Sequence, residues 1–250
     1  MSAPRGIQMI RALLSGLTAC FFFLPGSVAA FTFSVSPIRV FFEPNQKTTL
    51  VTVGNDDETP LKLQIKVVSW TQAADGKDVY TDSDDIIYYP REMVLGPKES
   101  RVIRLGIKAP AQDRERTYRL QIEDLPGEIA PVQGPSVNFR YRFSIPIFLL
   151  PRIPNRDAEI VDMTVKGGKI QLQIANRGSQ HIRFERITVT TAGGFSKDAE
   201  VWYVLPGATR LFQIELPREE CLRAGSTDVV AVSEYATLKR NVTVRSSDCQ

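Results

Sequence analysis

Apolar and polar side chains alternate strictly in residues 137–150, VNFRYRFSIPIFLL. Every second position is apolar from Val137 to Ile147, and the positions between them hold asparagine, arginine, serine and proline. A repeat of two residues is that of a β-strand, in which successive side chains point to opposite faces. The segment is therefore predicted to be a strand with one large apolar face and one polar, basic face. The alternation leaves open whether the apolar face fills the chain's own core or is offered to another chain.

Short runs with the same repeat follow one another from residue 31 to the end of the chain, separated by proline, glycine and asparagine. No segment shows the 3.6-residue repeat of an amphipathic helix over a convincing length. Strands and turns in this succession are typical of antiparallel β-sandwiches. The sequence predicts an all-β fold, with further strands in residues 31–42, 47–55, 61–70, 101–109, 116–125, 158–167, 168–176, 181–190, 209–216, 227–235 and 240–246.

The two halves of the chain also repeat each other loosely. LVTVGNDDETPLKLQIKV resembles LQIANRGSQHIRFERITV, and VLGPKESRVIRL resembles VLPGATRLFQIEL, in the same order. In both halves a strand ends in asparagine, and a later turn of Leu, Pro and Gly leads into a strand that carries arginine. We therefore expect two β-sandwich domains, residues 31–151 and 152–250. Pro151 and Pro154 stiffen the connection, which predicts a fixed angle and a cleft between the domains.

The first 30 residues are predicted to be a secretory signal peptide and not part of the fold. Arg5 and Arg11 make the start of the chain positive, and an apolar run follows Arg11. Small residues stand at the positions required for cleavage after Ala30. LTAC, ending at Cys20, resembles a lipoprotein processing site, although the apolar FFFLP that follows it is unlike a polar tether. No later apolar run approaches the roughly 20 residues that span a bilayer. We expect the mature chain to be exported to the periplasm.

Charge and cysteine content add two expectations. The formal net charge of +3 includes both leader arginines, so the mature chain is close to neutral and carries no nucleic-acid signature. Cleavage after Ala30 would leave only Cys221 and Cys249, which in an oxidising compartment are predicted to form a disulfide. Because no CxxC spacing is present, the predicted role of this disulfide is structural.

Residues for catalysis or metal binding are sparse. The only histidine, His181, is interpreted as a strand-edge residue, which leaves no second imidazole for a triad or a metal cluster. Asp82, Asp84 and Asp85 lack the spacing and the glycine of a calcium loop. We therefore expect no enzyme activity and no metal or organic cofactor.

Several arginines instead stand within apolar strands, namely Arg39, Arg119, Arg140 and Arg142. Buried guanidinium groups are costly unless they are paired. One interpretation is that their stems cover apolar surface while their charged ends reach water. The other is that together they line a cleft that holds a carboxylate through two parallel hydrogen bonds.

The ordered set of motifs resembles the PapD-like family of periplasmic pilus-assembly chaperones. The motifs are VSPIRVFF, a strand ending in VGND, a strand closing on Trp70, LGPKESRVIRL, TYRLQIEDLP and the final alternating strand, and the match covers nearly all of residues 31–250. The resemblance implies two immunoglobulin-like β-sandwich domains set at an angle, like a boomerang. It also implies binding of pilin or fimbrial subunits by donor-strand complementation and their delivery to an outer-membrane usher. Empty chains of this family could cap each other's strands as a dimer.

The resemblance further assigns roles to individual residues. The strand lent to the subunit would use Val137, Phe139, Tyr141, Phe143 and Ile145. Arg39 matches the first of two basic residues that anchor the subunit's C-terminal carboxylate. The second, normally a lysine late in the donated strand, falls on Pro146, a departure that suggests the archaic, spore-coat-U-associated branch.

Two further assignments follow from the resemblance. Arg119 and Arg142 are the candidates to replace the missing basic anchor. Arg104, Glu115 and Glu234 would form a buried ionic cluster between the domains, unless they are unrelated surface charges.

A different class of function stays open at this point. The chain could be a two-domain pilin or adhesin that is itself part of the fibre, with FTFSVSPIRVFF as the extension that completes a neighbour. The second complete set of strands argues against this alternative. A periplasmic glycan-binding accessory protein has no specific motif in its favour.

Overall fold

The computed structural model describes residues 33–108, 112–125 and 141–250, so the predicted signal peptide lies outside the described part. The first ten strands are β1 (Phe33–Ser36), β2 (Val40–Phe42), β3 (Thr48–Asn55), β4 (Leu61–Gln72), β5 (Asp78–Asp82), β6 (Ile86–Tyr89), β7 (Glu92–Leu95), β8 (Ser100–Ile107), β9 (Arg116–Asp124) and β10 (Arg142–Leu149). The later strands are β11 (Ala158–Lys166), β12 (Lys169–Asn176), β13 (Ile182–Thr191), β14 (Ser196–Asp198), β15 (Tyr203–Val204), β16 (Thr209–Glu215), β17 (Gly225–Ser233) and β18 (Thr237–Val244). The helical elements are α1 (Arg218–Arg223) and a 3₁₀ turn (Ser246–Cys249).

The predicted all-β class with two immunoglobulin-like sandwiches is confirmed. In the N-terminal half, one sheet has the strand order β1-β3-β8-β6, and the other has the order β2-β10-β9-β4-β5 with β7 also paired to β4. In the C-terminal half, the sheets have the orders β11-β12-β16 and β14-β13-β17-β18, with β15 paired to β13. Each half has its own apolar core to which both of its sheets contribute. No helix in the described part of the chain is long and apolar enough to cross a membrane.

Strand β4 shows how the alternation in the sequence produces the core. Leu63, Ile65 and Val67 point inward and are buried, whereas the side chains between them are exposed. Further along the strand, Val68 and Trp70 are buried on the opposite face. Trp70 packs in a separate apolar cluster with Phe148 and with Tyr203 and Leu205 of the C-terminal half. Both faces of this sheet are therefore covered near the junction, which a two-residue repeat alone does not indicate.

The internal repeat has a structural counterpart. Asn55 ends β3 and Asn176 ends β12, and both side chains are buried. Each side-chain amide donates to the carbonyl four residues later, at 2.8 Å from Asn55 and 2.7 Å from Asn176. Each side-chain oxygen accepts the N–H two residues later, and each amide also donates at 2.9 Å to a carbonyl farther along the chain, that of Gly96 or Val204. The asparagines recur because a buried side chain at this position must satisfy these backbone groups.

A disulfide joins the two ends of the last strand pair. The sulfur atoms of Cys221 in α1 and Cys249 in the 3₁₀ turn are bonded, with their Cα atoms 5.9 Å apart. Cys221 is buried in the C-terminal core, and Cys249 packs against it. The bond therefore holds the chain end against the helix, and the disulfide predicted from the sequence is present.

Candidate functional site

Strand β10 has an edge that is only partly covered. Along its full length it is antiparallel to β9, from Arg142 opposite Glu123 to Leu149 opposite Arg116. On its other side it pairs in parallel with β2 only over residues 147–149. Within the described residues, positions 142–146 therefore have no strand on that side, and Pro146 lies in this stretch, as expected for an edge strand.

The predicted donor side chains divide into three groups. Val137 and Phe139 lie outside the described residues. Tyr141 and Phe143 are partly buried against the N-terminal core, and the Phe143 ring meets Phe33 edge-on with centroids 4.7 Å apart. Ile145, in contrast, is only 3% exposed and belongs to the chain's own core. Ile145 points inward opposite Leu120, and its role as a donor residue stays a prediction.

Arg39 lines a pocket of about 450 Å³ at the junction of the two halves. Two further arginines face the same pocket: Arg156, from the connection before β11, and Arg183 in β13. The Arg156 guanidinium stacks on the Tyr235 ring, 3.6 Å from its centroid. Burial raises the pKa of the Tyr235 phenol, and the positive charges of Arg156 and Arg39 oppose that shift. Both guanidinium groups therefore act on the same ring, which places them around one cavity.

The three arginines that line this pocket form no ion pairs in the described part of the chain. Among the described residues, no carboxylate lies within ion-pair distance of Arg39, Arg156 or Arg183. Glu185 and Glu234 also line the pocket, so three guanidinium groups face two carboxylates. Guanidinium groups of this kind can bind a carboxylate through parallel hydrogen bonds.

The two predicted substitutes for the second anchor lie elsewhere. Arg142 is exposed at the start of β10, where its Nη2 and Nε donate to one oxygen of Glu123 at 2.7 and 3.0 Å. Arg142 precedes Pro146 by four residues, and its position opposite Glu123 is at the start of the strand. The structure thus does not place Arg142 in the pocket that Arg39 lines.

Arg119 lies opposite Pro146 but is enclosed by aromatic rings. Its guanidinium carbon is 3.7 Å from the Trp70 centroid and 5.4 Å from that of Trp202. The residue is 4% exposed, and one nitrogen donates to the Ser144 carbonyl at 3.1 Å. Its Nε and Nη2 have no partner in the described part of the chain. Burial lowers the pKa of this guanidinium, and the side chain is not available to the pocket.

The predicted ionic cluster is not formed as expected. Arg104 is exposed on the outer face of β8, because Ile103 and Leu105 on either side of it point into the core. Glu234 lines the pocket with Arg39. Glu115 is buried, but its partner is His181, whose Nδ1 lies 2.8 and 2.9 Å from the two carboxylate oxygens. The structure therefore does not bring the three residues of the predicted cluster together, and it pairs Glu115 with His181 instead.

The imidazole of His181 connects this pair to the aromatic junction. It stacks on Phe148 with centroids 3.8 Å apart, and its backbone N–H donates to Glu115 at 3.2 Å. A second polar contact lies on the other side of the aromatic cluster, where Asp78 accepts from Trp202 Nε1 at 2.7 Å and from Arg210 Nη1 at 3.3 Å. Both contacts join a residue of the N-terminal half to the C-terminal half, and the first involves His181, which lines the pocket.

Comparison with known proteins identifies a family for the N-terminal half. Residues 32–154 match the model described as pili and flagellar-assembly chaperone, PapD N-terminal domain. Among curated proteins, none matches the chain in sequence.

Solved structures with the same fold cover almost the whole described chain. One is a chain of the CsuC–CsuE chaperone–tip adhesion subunit pre-assembly complex from archaic chaperone–usher Csu pili of Acinetobacter baumannii, with 24% identity and a TM-score of 0.61 over 85% of this chain and 99% of that one. The YadV chaperone shows 16% identity and a TM-score of 0.58 over 85% and 100%. A chain of the Salmonella enterica SafA pilin–SafB chaperone complex shows 16% identity and a TM-score of 0.56 over 86% and 98%. At these identities the likeness shows a shared fold.

Proposed function

Because residues 32–154 make this chain a member of the PapD-like family of pilus-assembly chaperones, we propose that it binds pilin subunits in the periplasm by donor-strand complementation and delivers them to an outer-membrane usher. The observation that carries the proposal is the edge of β10 at residues 142–146, which pairs with no strand in the described part of the chain and lies beside partly buried aromatic side chains. A subunit that lacks one strand could pair with this edge through its backbone. The match to a chain from an archaic chaperone–usher complex supports the archaic branch.

Side-chain burial would supply the free energy of this binding. Tyr141 and Phe143 keep part of their surface outside the chain's own core. Complete burial of a large apolar side chain contributes about 1.5–3 kcal/mol. Because both rings are already partly buried, binding of a partner gains only the part of this free energy that comes from their exposed surface. Association and ordering costs subtract from that sum. The two described rings are therefore expected to work together with the backbone pairing and with a second contact, the anchoring of the subunit's C-terminal carboxylate by Arg39.

The proposal is tested by co-expression of the full chain with the exported, cysteine-poor subunit encoded beside it, followed by a pull-down from the periplasm. We expect a soluble one-to-one complex, and we expect Arg39→Ala to abolish its recovery while the melting temperature stays unchanged. An insoluble subunit in the presence of the chain would overturn the proposal. Incorporation of the chain into surface fibres as a stoichiometric component would identify it as a fibre subunit instead.

A matched pair of substitutions tests the donated strand. Phe143→Ser removes a partly buried ring from the proposed donor strand, whereas Phe195→Ser removes a partly buried ring from the C-terminal half. We expect complex recovery to fall for Phe143→Ser and to be retained for Phe195→Ser when both variants are compared at equal folded concentration. Equal recovery of the two variants would mean that Phe143 serves only the chain's own core.

A further inference from the structure

The turn between β4 and β5 reaches from the N-terminal half to β16 of the C-terminal half. Gly76 in this turn is buried and has a φ of +80°, a conformation that favours glycine. A Cβ atom at Gly76 would lie 2.9 Å from the Cα atom of Arg210 and 3.1 Å from the carbonyl oxygen of Thr209. Both distances are shorter than ordinary van der Waals contact, so a side chain at this position would displace the turn from the backbone of β16.

Asp78, the first residue of β5, connects this turn to two side chains of the C-terminal half. Its Oδ1 accepts from Arg210 Nη1 at 3.3 Å, and its Oδ2 accepts from Trp202 Nε1 at 2.7 Å. The same nitrogen of Arg210 donates to the Gly76 carbonyl at 2.9 Å. The side chains of Asp78 and Arg210 are only 15% and 21% exposed, so solvent screens this pair less than it screens an ion pair at the surface. These bonds therefore hold the hairpin against β16.

Gln72, which pairs with Asp78 across the hairpin, extends the contact to β15. Its Nε2 donates to Asp78 Oδ1 at 3.0 Å and to the carbonyl of Tyr203 at 2.9 Å. Its Oε1 accepts the backbone N–H of Leu205 at 3.0 Å. One side-chain amide thus bonds to a backbone acceptor and a backbone donor of the other half. Because hydrogen bonds depend on both distance and angle, this pair of bonds restricts the position of the hairpin more strictly than an apolar contact does.

We infer that the β4–β5 hairpin sets the angle between the two halves, with Gly76, Gln72 and Asp78 as its positioning residues, and that subunit capture depends on this angle. The second part of the inference rests on the proposed chaperone function. The edge of β10 belongs to the N-terminal half, whereas the pocket that Arg39 lines is formed by residues of both halves. A change of angle at the hairpin would therefore alter the surface presented to a subunit without any change in β10 itself.

The first measurement compares the angle in two alanine variants of the free chain. Gly76→Ala introduces the Cβ that collides with β16, and Gly194→Ala is its matched control. In both turns the glycine N–H donates at 2.9 Å to the carbonyl three residues earlier. Gly194 has a φ of +85°, but a Cβ there would have no atom within 4 Å. The control therefore carries the same backbone strain without the collision.

The distance between the halves is measured by pulsed EPR. Nitroxide labels are attached through a ketone amino acid in place of Thr52 in β3 and Lys239 in β18, which are both exposed. This attachment leaves the native cysteines unmodified. We expect Gly76→Ala to shift or broaden the distance distribution and Gly194→Ala to match the wild-type chain.

The second measurement is the affinity of the same variants, without labels, for the subunit from the pull-down. We expect Gly76→Ala to bind about tenfold more weakly at equal folded concentration, because a subunit must then restore the original angle when it binds. Gly194→Ala should bind like the wild-type chain. Gln72→Met loses the bonds to Tyr203 and Leu205 at a similar side-chain length. It should change distance and affinity in the same direction, and it replaces Gly76→Ala if that variant does not fold.

The two measurements separate the inference from the function on which it rests. An unchanged distance distribution in Gly76→Ala and Gln72→Met would overturn the role of the hairpin. A changed distribution with unchanged affinity would overturn the dependence of capture on the angle. In either case the wild-type complex would persist and the proposed function would stand. Absence of any wild-type complex would overturn the proposed function and the dependence of capture on the angle, whereas the distances in the free chain would still decide the role of the hairpin.

Discussion

Replacement of His181 by leucine removes the one side chain that donates to the buried Glu115 carboxylate within the described part of the chain. The Glu115 side chain is 0% exposed and accepts from His181 Nδ1 at 2.8 and 2.9 Å and from the His181 backbone at 3.2 Å. Leucine keeps an apolar group against Phe148 but leaves Glu115 with one backbone donor. Removal of one partner from a buried pair costs about 3–5 kcal/mol. We expect the free energy of unfolding of His181→Leu to fall by that amount at pH 7.

Tryptophan fluorescence during urea unfolding is a suitable assay for this loss. The chain has two tryptophans, Trp70 and Trp202, and both contact Tyr203 at the junction of the two halves. Their emission therefore reports on the region in which Glu115 and His181 meet. A second variant, His181→Leu with Glu115→Leu, removes the carboxylate as well and is expected to recover most of the lost stability, because no buried charge remains.

Two results would refute this reasoning. A loss of less than about 1 kcal/mol in His181→Leu would fit an exposed pair, since such pairs contribute about 0–1 kcal/mol. A double variant no more stable than the single variant would show that the loss comes from the imidazole's packing on Phe148. Either result would mean that the contribution of His181 to stability does not come from its pairing with the Glu115 carboxylate.

Three further predictions concern other buried groups. Arg119→Met should change the free energy of unfolding, measured in urea titrations, by less than about 1 kcal/mol. The reason is that the variant loses stacking on Trp70 but also removes a buried charge with two nitrogens that have no hydrogen-bond partner in the described part of the chain. A loss of stability above about 2 kcal/mol would contradict this. Cys221→Ser should lower the free energy of unfolding by about 3–4 kcal/mol, because the disulfide closes a loop between residues 28 positions apart, and reduction of the wild-type chain should match it. Burial, with the hydrogen bond to Asp85, raises the pKa of Tyr118 above that of a free tyrosine. The folded state therefore holds this proton more tightly, so stability should fall as pH rises above about 10, and Tyr118→Phe should make the fall shallower; parallel curves would refute it.

The alternation of side chains predicted the long strands, but not the short strands β5, β6, β7, β14 and β15, and not which faces are covered. In β10 the inward positions were identified from the sequence, whereas the burial of Ile145 in the chain's own core depends on its pairing with Leu120 in β9. In β9 itself, Arg119 stands at a position that alternation assigns to the polar face. That face is buried because Trp70 and Trp202 cover it, and Trp202 comes from the other half of the chain.

The partner of Glu115 could not be predicted for a related reason. His181 is 66 residues away in sequence, and the contact arises only where the two halves meet. A lone histidine in a strand sequence carries no local signal of a buried acid beside it. The asparagines at the ends of β3 and β12 are different, because each one bonds to the turn that follows it within four residues. Local hydrogen bonding therefore leaves a repeat that can be read in the sequence, whereas contacts between the halves do not.

Pro146 connects these observations at the proposed anchor. Proline is tolerated in β10 because no described strand pairs with that edge at Pro146, but its ring supplies no charge for a carboxylate. The nearest cross-strand cation, Arg119, is held in the aromatic cluster. The further guanidinium groups of the pocket, Arg156 and Arg183, come from beyond the Pro151–Pro154 connection. Any contribution of these two arginines to carboxylate binding by Arg39 would consequently require the two halves to be held together. The Glu115–His181 pair contributes to that at a distance of 2.8 Å. The Glu115–His181 pair would then support carboxylate binding, because it helps to hold the two halves that line the pocket of Arg39.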